Sequence, residues 1–122
     1  MSQSNSGATA SQPITTEATI TAPNAPATMA PGSALQSFFS RSTPDASPGR
    51  NTLTINGLPA GTRTISVWMT EWVAGNAPHA GAAFFYTTSV QLYNNGTQCR
   101  VIYNLDWNNH LPAGCSVIYG PG

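Results

Sequence analysis

Alternation of apolar and polar residues at every second position, interrupted by glycine and proline turns, is the feature that most limits the folds open to this chain. It is sharpest around Asn95-Gly96, a dipeptide suited to the positive backbone angles of a two-residue hairpin turn. With those two residues as the loop, Leu92 faces Cys99, Val90 faces Val101 and Thr88 faces Tyr103 on one side. On the other side Tyr93 meets Gln98 and Gln91 meets Arg100. A one-residue slip would exchange the two sides, so the register is specified by which side meets the core.

The same period recurs elsewhere. Leu53 and Ile55 open a strand that ends at the Gly57 to Gly61 turn, and Ile65, Val67 and Met69 line one face of the next, with Trp68 on the other. A final strand is expected through Cys115, Val117 and Tyr119, after a loop from Leu105 to Gly114. Residues 70–81, which include Trp72, Gly75, Pro78 and His79, read as a second long loop. The expected fold class is therefore all-β, a small antiparallel sandwich or jelly-roll-like barrel.

Residues 1–50 hold six of the ten prolines but only two aromatics, Phe38 and Phe39, while every tryptophan, tyrosine, cysteine and histidine lies after them. This unevenness divides the chain into an extended Ser/Thr/Ala/Pro-rich arm, 1–33, and a single β domain, 34–122. Within the arm, Ile14, Thr16, Ala18 and Ile20 alternate with Thr15, Glu17 and Thr19, a pattern able to add an edge strand to a sheet. Leu35, Phe38 and Phe39 form a short apolar anchor, followed by a Pro/Gly/Asp loop through Arg50. Only about five strands are then expected after residue 51, where a sandwich commonly has about seven. A unit of about 70 residues buries only about 60% of its unfolded surface. The missing strands are expected from the arm or from a neighbouring subunit.

Charged residues make up 7% of the chain, against a usual level of about 25%. The four cations, Arg41, Arg50, Arg63 and Arg100, are dispersed and balanced by Glu17, Asp45, Glu71 and Asp106. A nucleic-acid surface needs several phosphate-neutralising side chains on one face, so no nucleic-acid partner is expected. There is no apolar run of about 18 residues for a spanning helix, and the start of the chain lacks a basic region followed by an apolar one. The chain is expected to be made in the cytosol without a signal peptide and to be released later or built into a particle.

Candidate chemistry is sparse. Cys99 and Cys115 lie in apolar strand patterns, and two buried thiols are expected in preference to a bridge. His79 and His110 could join them around zinc, but no closely spaced ligand pair exists, and inert packing is the simpler role for either cysteine beside Asp106. Glu71 and Asp106 could form a two-carboxylate site, without the surrounding polar set that a glycosidase uses. No enzyme activity, cofactor or metal is expected. Asn95-Gly96-Thr97 spells a glycosylation acceptor, for which the hairpin turn is the sufficient explanation.

Two binding readings remain. In the first, the chain is a structural subunit of a symmetric assembly of virus or phage capsid, decoration, tail or fibre type. Its partners are copies of itself or other subunits, reached through Ile14, Ala18, Ile20, Phe38 and Phe39 by strand addition. In the second, it is a small oligomeric lectin-like module that binds a neutral glycan. Trp107 would offer a flat apolar face, Asn108, Asn109 and His110 donors and acceptors, and Trp72 a second ring. The competing explanation for that loop is that Asn caps turns and Trp107 closes the end of the sandwich.

Overall fold

The computed structural model describes residues 16–73 and 83–122. Among these residues seven strands form two sheets packed as a sandwich: β1 (Thr16–Thr21), β2 (Gln36–Ala46), β3 (Gly49–Asn56), β4 (Thr64–Glu71), β5 (Phe84–Tyr93), β6 (Gln98–Asp106) and β7 (Leu111–Gly120). One sheet has the order β1-β3-β6-β5 and the other β2-β7-β4. Among the described residues, only β5 and β6 are joined as a hairpin within one sheet; the other consecutive strands lie in opposite sheets.

The alternation decides which residues meet between the sheets. Ala18, Ile20, Leu53, Ile55, Cys99, Val101, Tyr103 and Leu105 come from the larger sheet, and Val67, Met69, Ala113, Cys115, Val117 and Tyr119 from the smaller. All are buried, forming one continuous core. At one end, buried Asn51 clamps the turn between β2 and β3. Its Oδ1 accepts the Ser47 N–H at 2.9 Å, and its Nδ2 donates to the carbonyls of Ser47 and Gly49 at 2.9 and 3.0 Å.

The hairpin has the anticipated register from Tyr93↔Gln98 through Val90↔Val101 to Ser89↔Ile102. A bulge between Thr87 and Ser89 then places Thr87, not Thr88, opposite Tyr103. The loop also differs from the expected two residues. It spans 94–97, with Asn94, Asn95 and Gly96 all at positive φ, and Gly96 N–H and Thr97 N–H donating to the Tyr93 and Asn94 carbonyls.

Other expectations are corrected. β7 starts at Leu111, so the loop after β6 is confined to residues 107–110 rather than 105–114. Pro112 conceals this strand in the sequence, because proline removes a ladder donor. It is tolerated because β2 leaves the ladder opposite it, between Ser42 and Ala46, while the Pro112 carbonyl accepts the Trp72 N–H at 2.9 Å.

The segment read as an anchor and loop is the eleven-residue strand β2. The stretch assigned to the arm is also part of the sandwich over the residues described. β1 pairs in parallel with β3, from Thr16↔Asn51 to Thr21↔Asn56. Met29, further along, is buried, and its N–H donates to the Ala60 carbonyl at 2.7 Å. The two strands that the count after residue 51 lacked are thus β1 and β2 of the same chain. Residues 1–15 lie outside the described residues.

Candidate functional site

The outer face of the β2-β7-β4 sheet exposes several large apolar side chains, while Phe84 and Tyr86 on β5 are exposed on the other sheet. On β7, the positions opposite in phase to the buried Val117 and Tyr119 are Gly114, Ser116, Ile118 and Gly120, which make a floor of mostly small residues. The registers Phe39↔Ser116 and Trp68↔Ser116 set the two rings on either side of that floor. Phe39 is 56% exposed, Trp68 72%, Ile118 48% and Leu35 65%.

Gly114 is required here. A Cβ on it would stand 3.0 Å from the Trp72 ring and 3.2 Å from that of Phe39. Without one, those rings lie over the strand and stack, with centroids 5.1 Å apart and planes 12° from parallel. A dimple of about 50 Å³ lies among Ser66, Trp68, Ser116 and Ile118. The charge beside this face is internally balanced, since Arg41 meets Asp45 at 3.4 Å.

Around the edge of β4 the apolar surface continues into a groove of about 460 Å³ between the two sheets. Val67, Trp68 and Met69 line one wall, and Phe85, Tyr86 and Val90 the other. The Thr87 hydroxyl donates across it to the Val67 carbonyl at 3.3 Å. Both walls are sheet edges, with no strand paired to their outer side among the described residues.

No family model, curated protein or solved structure matches this chain.

The residues singled out from the sequence are distributed unevenly over this geometry. Ala18 and Ile20 are buried in their own sandwich, and Phe38 is half-buried, edge-on to Tyr119 at 6.2 Å. Within the chain β1 pairs with the edge of β3, and its alternating residues fill the core beside it. Phe39 remains exposed, and Ile14 lies outside the described residues.

Trp107 is half-buried and packs against the core. Asn108, Asn109 and His110 are exposed beside it, and the Asn109 side chain accepts the His110 N–H at 2.9 Å, so this amide serves the turn. Trp72 is not with them: it stacks on Phe39 over Gly114. His79 lies outside the described residues.

Cys99 and Cys115 are free thiols, both fully buried. Burial pushes both up, Cys115 to about 11, so neither is a thiolate nucleophile at neutral pH. Glu71 ends β4 in one sheet and Asp106 ends β6 in the other, where it is exposed. Among the described residues, no three of His, Cys, Asp and Glu come together as a metal-ligand set.

Sequence reasoning set Trp68 on the face opposite the core but gave it no role, and it passed over Ile118. The signal was available. Each is a large apolar residue at the polar phase of an alternating strand, and two such residues in strands paired in register mark a face that is not simply solvated.

Proposed function

We propose that the chain is a non-catalytic subunit of a symmetric assembly, of the virus or phage capsid, decoration, tail or fibre type. In this reading its contact with neighbouring copies is the outer face of the β2-β7-β4 sheet. The observation that carries the reading is the exposure of Trp68, Phe39, Ile118 and Leu35 on one continuous face of a chain with few charges. Monomeric proteins rarely leave such a face uncovered, and burying a phenylalanine side chain contributes about 1.5–3 kcal/mol. Small residues on β7 allow close approach, while Phe39, Trp72 and Trp68 supply the area.

This differs from docking by a free arm. Ala18 and Ile20 of the arm are buried within the chain, and the face offered to a neighbour is built from three strands. The edges of β4 and β5 beside it would be covered by the same contact, which also protects them from unspecific pairing.

The test is the solution mass of the full chain at several concentrations, by light scattering or native mass spectrometry. A defined oligomer is expected, and Trp68→Ser with Ile118→Ser, which leave the Phe39–Trp72 stack in place, should reduce it to single chains that still unfold cooperatively. A wild-type chain that stays monomeric at every concentration into the millimolar range would remove the basis for the proposal.

A further inference from the structure

The two sheets are unequal, and the difference falls at one edge. Four strands, β1-β3-β6-β5, face three, β2-β7-β4. On β5 the residues in phase with buried Leu105, Tyr103 and Val101 are Phe85, Thr87 and Val90, so these point toward the smaller sheet. Val90 is nevertheless 37% exposed, left open beside β4. The groove of about 460 Å³ between the sheets is this gap, and its volume is within the usual range for binding sites. From Phe85 to Val90 it runs about 17 Å at the rise of a strand.

The β4 wall offers backbone as well as side chains. Trp72 N–H donates to the Pro112 carbonyl of β7, so by the two-residue period of the ladder the even-numbered residues of β4 face β7. Ile65, Val67 and Met69 then present N–H and C=O to the open side. The Thr87 hydroxyl, 3.3 Å from the Val67 carbonyl, shows that carbonyl turned into the groove, and it shows β5 projecting past β4. An edge of a second folded sandwich would bring strands to both walls, where β5 already stands in the way. The gap therefore admits one extended strand, and no charged side chain among the described residues lines it.

We propose that this gap is filled by strand addition, by residues 6–12 of a second copy. The proposal rests on the assembly reading and adds a second contact to that of the outer face. Residues 1–15 carry no charged side chain, so nothing in them is buried at the cost of an unpaired charge. Their one proline is Pro13, so residues 6–12 keep every backbone N–H for a ladder. Ala8 and Ala10 share one phase, and small side chains suit a floor where Phe85 and Val90 already supply the bulk. Length decides between chains. β1 and β5 are opposite edges of their sheet, about 14 Å apart, and Thr16 stands in one row with Asn51, Tyr103 and Thr87. Residues 12–16 span about 14 Å at full extension, the straight line through the sandwich and short of any path round it. Gln12 therefore cannot reach its own groove, and a neighbour's is not bound by that distance.

Two measurements on the full chain test this. In the first, a peptide of residues 5–12 with blocked ends is titrated where the protein is single-chain, followed by two-dimensional NMR. The amides of Ile65, Val67 and Met69 should shift more than those of Ser66 and Thr70. A peptide with Ala8→Asp and Ala10→Asp should bind about tenfold more weakly, and maltohexaose, a neutral oligosaccharide, should leave these amides unmoved. In the second, single variants Ala10→Cys and Val90→Cys are mixed under oxidised glutathione at a concentration where copies associate. Their mixed disulfide dimer forms only between chains. It should form about tenfold faster than with Gln91→Cys, the next residue of β5, which is exposed on the outer face. Equal shifts on both phases of β4, equal binding of the charged peptide, binding of the oligosaccharide in place of the peptide, or equal rates for the two β5 cysteines would overturn the inference. An oligomer held by the outer face that fails both measurements sinks the inference alone. Peptide binding by a chain that never associates sinks the assembly reading and leaves the groove's preference standing.

Discussion

Asn51 and Gly96 show how single positions carry local structure. Asn51 is buried, and its amide satisfies three backbone groups of the turn between β2 and β3. Asn51→Ala leaves those groups without partners in a dry environment and should cost about 3 kcal/mol or more in urea unfolding. Gly96 sits at φ 80°, and a Cβ there would collide with the Thr62 carbonyl oxygen and stand 2.7 Å from its nitrogen. Gly32 has nearly the same angle, φ 78°, with nothing within 4 Å. Gly32→Ala should therefore cost only the backbone term, about 1 kcal/mol, and Gly96→Ala about 2 kcal/mol or more; equal losses would show that the Thr62 contact is unimportant.

Burial also sets a pH dependence at the level of single residues. It raises Cys115 from 9.0 to about 11 and Tyr103 from 10.0 to about 12. The native state thus keeps protons that the unfolded chain has already released, so stability falls as pH rises. It should be complete below about pH 9 and decline from there to about pH 12, as read by the urea midpoint at each pH. At pH 8 neither thiol should react with maleimide until the chain is unfolded.

At the scale of elements, the strands divide by how plainly their alternation is written. β4 and β6 were readable because each carries three or more core residues in phase, and the hairpin register followed from the two sides of that pattern. The bulge at Thr87/Ser89 was not, since serine and threonine suit either face and the shift depends on how β5 meets β4 across the sandwich. β2 escaped notice because Ser40 and Ser42 occupy its inward positions, paired with Cys115 and Ala113, so the core face there has no apolar signature. β1 was visible as a strand, but not its parallel pairing with β3. Ile20 lies at the edge of the sheet, and Ile20→Ala should cost about 2–3 kcal/mol. Outward-facing Thr19→Ala should change stability by less than about 0.5 kcal/mol in the same measurement.

Across the whole molecule, the sandwich closes with strands from its own chain, and what remains unfinished is surface rather than core. One sheet presents Phe39, Trp68 and Ile118 outward, and the other presents Phe84 and Tyr86 and a polar depression lined by Glu17, Arg50 and Arg100 among others. Association through the first should respond little to ionic strength, since apolar contact is not screened, and sedimentation at low and high salt should give similar masses. A mass that collapses in high salt would instead assign the contact to charged groups.

The sequence by itself determined the all-β class, the core of β3, β4 and β6, and the hairpin register as far as the bulge at Thr87/Ser89, because alternation is a local property that each strand carries alone. It also shows a charged fraction of 7% with no lysine. Only the tertiary structure decided that the leading segment pairs within the chain, that Trp72 joins Phe39 rather than Trp107, and that Glu17, Arg50 and Arg100 share a depression. Those outcomes depend on which strands lie side by side, and strand order is set by the joint packing of both sheets, which no single stretch of sequence records.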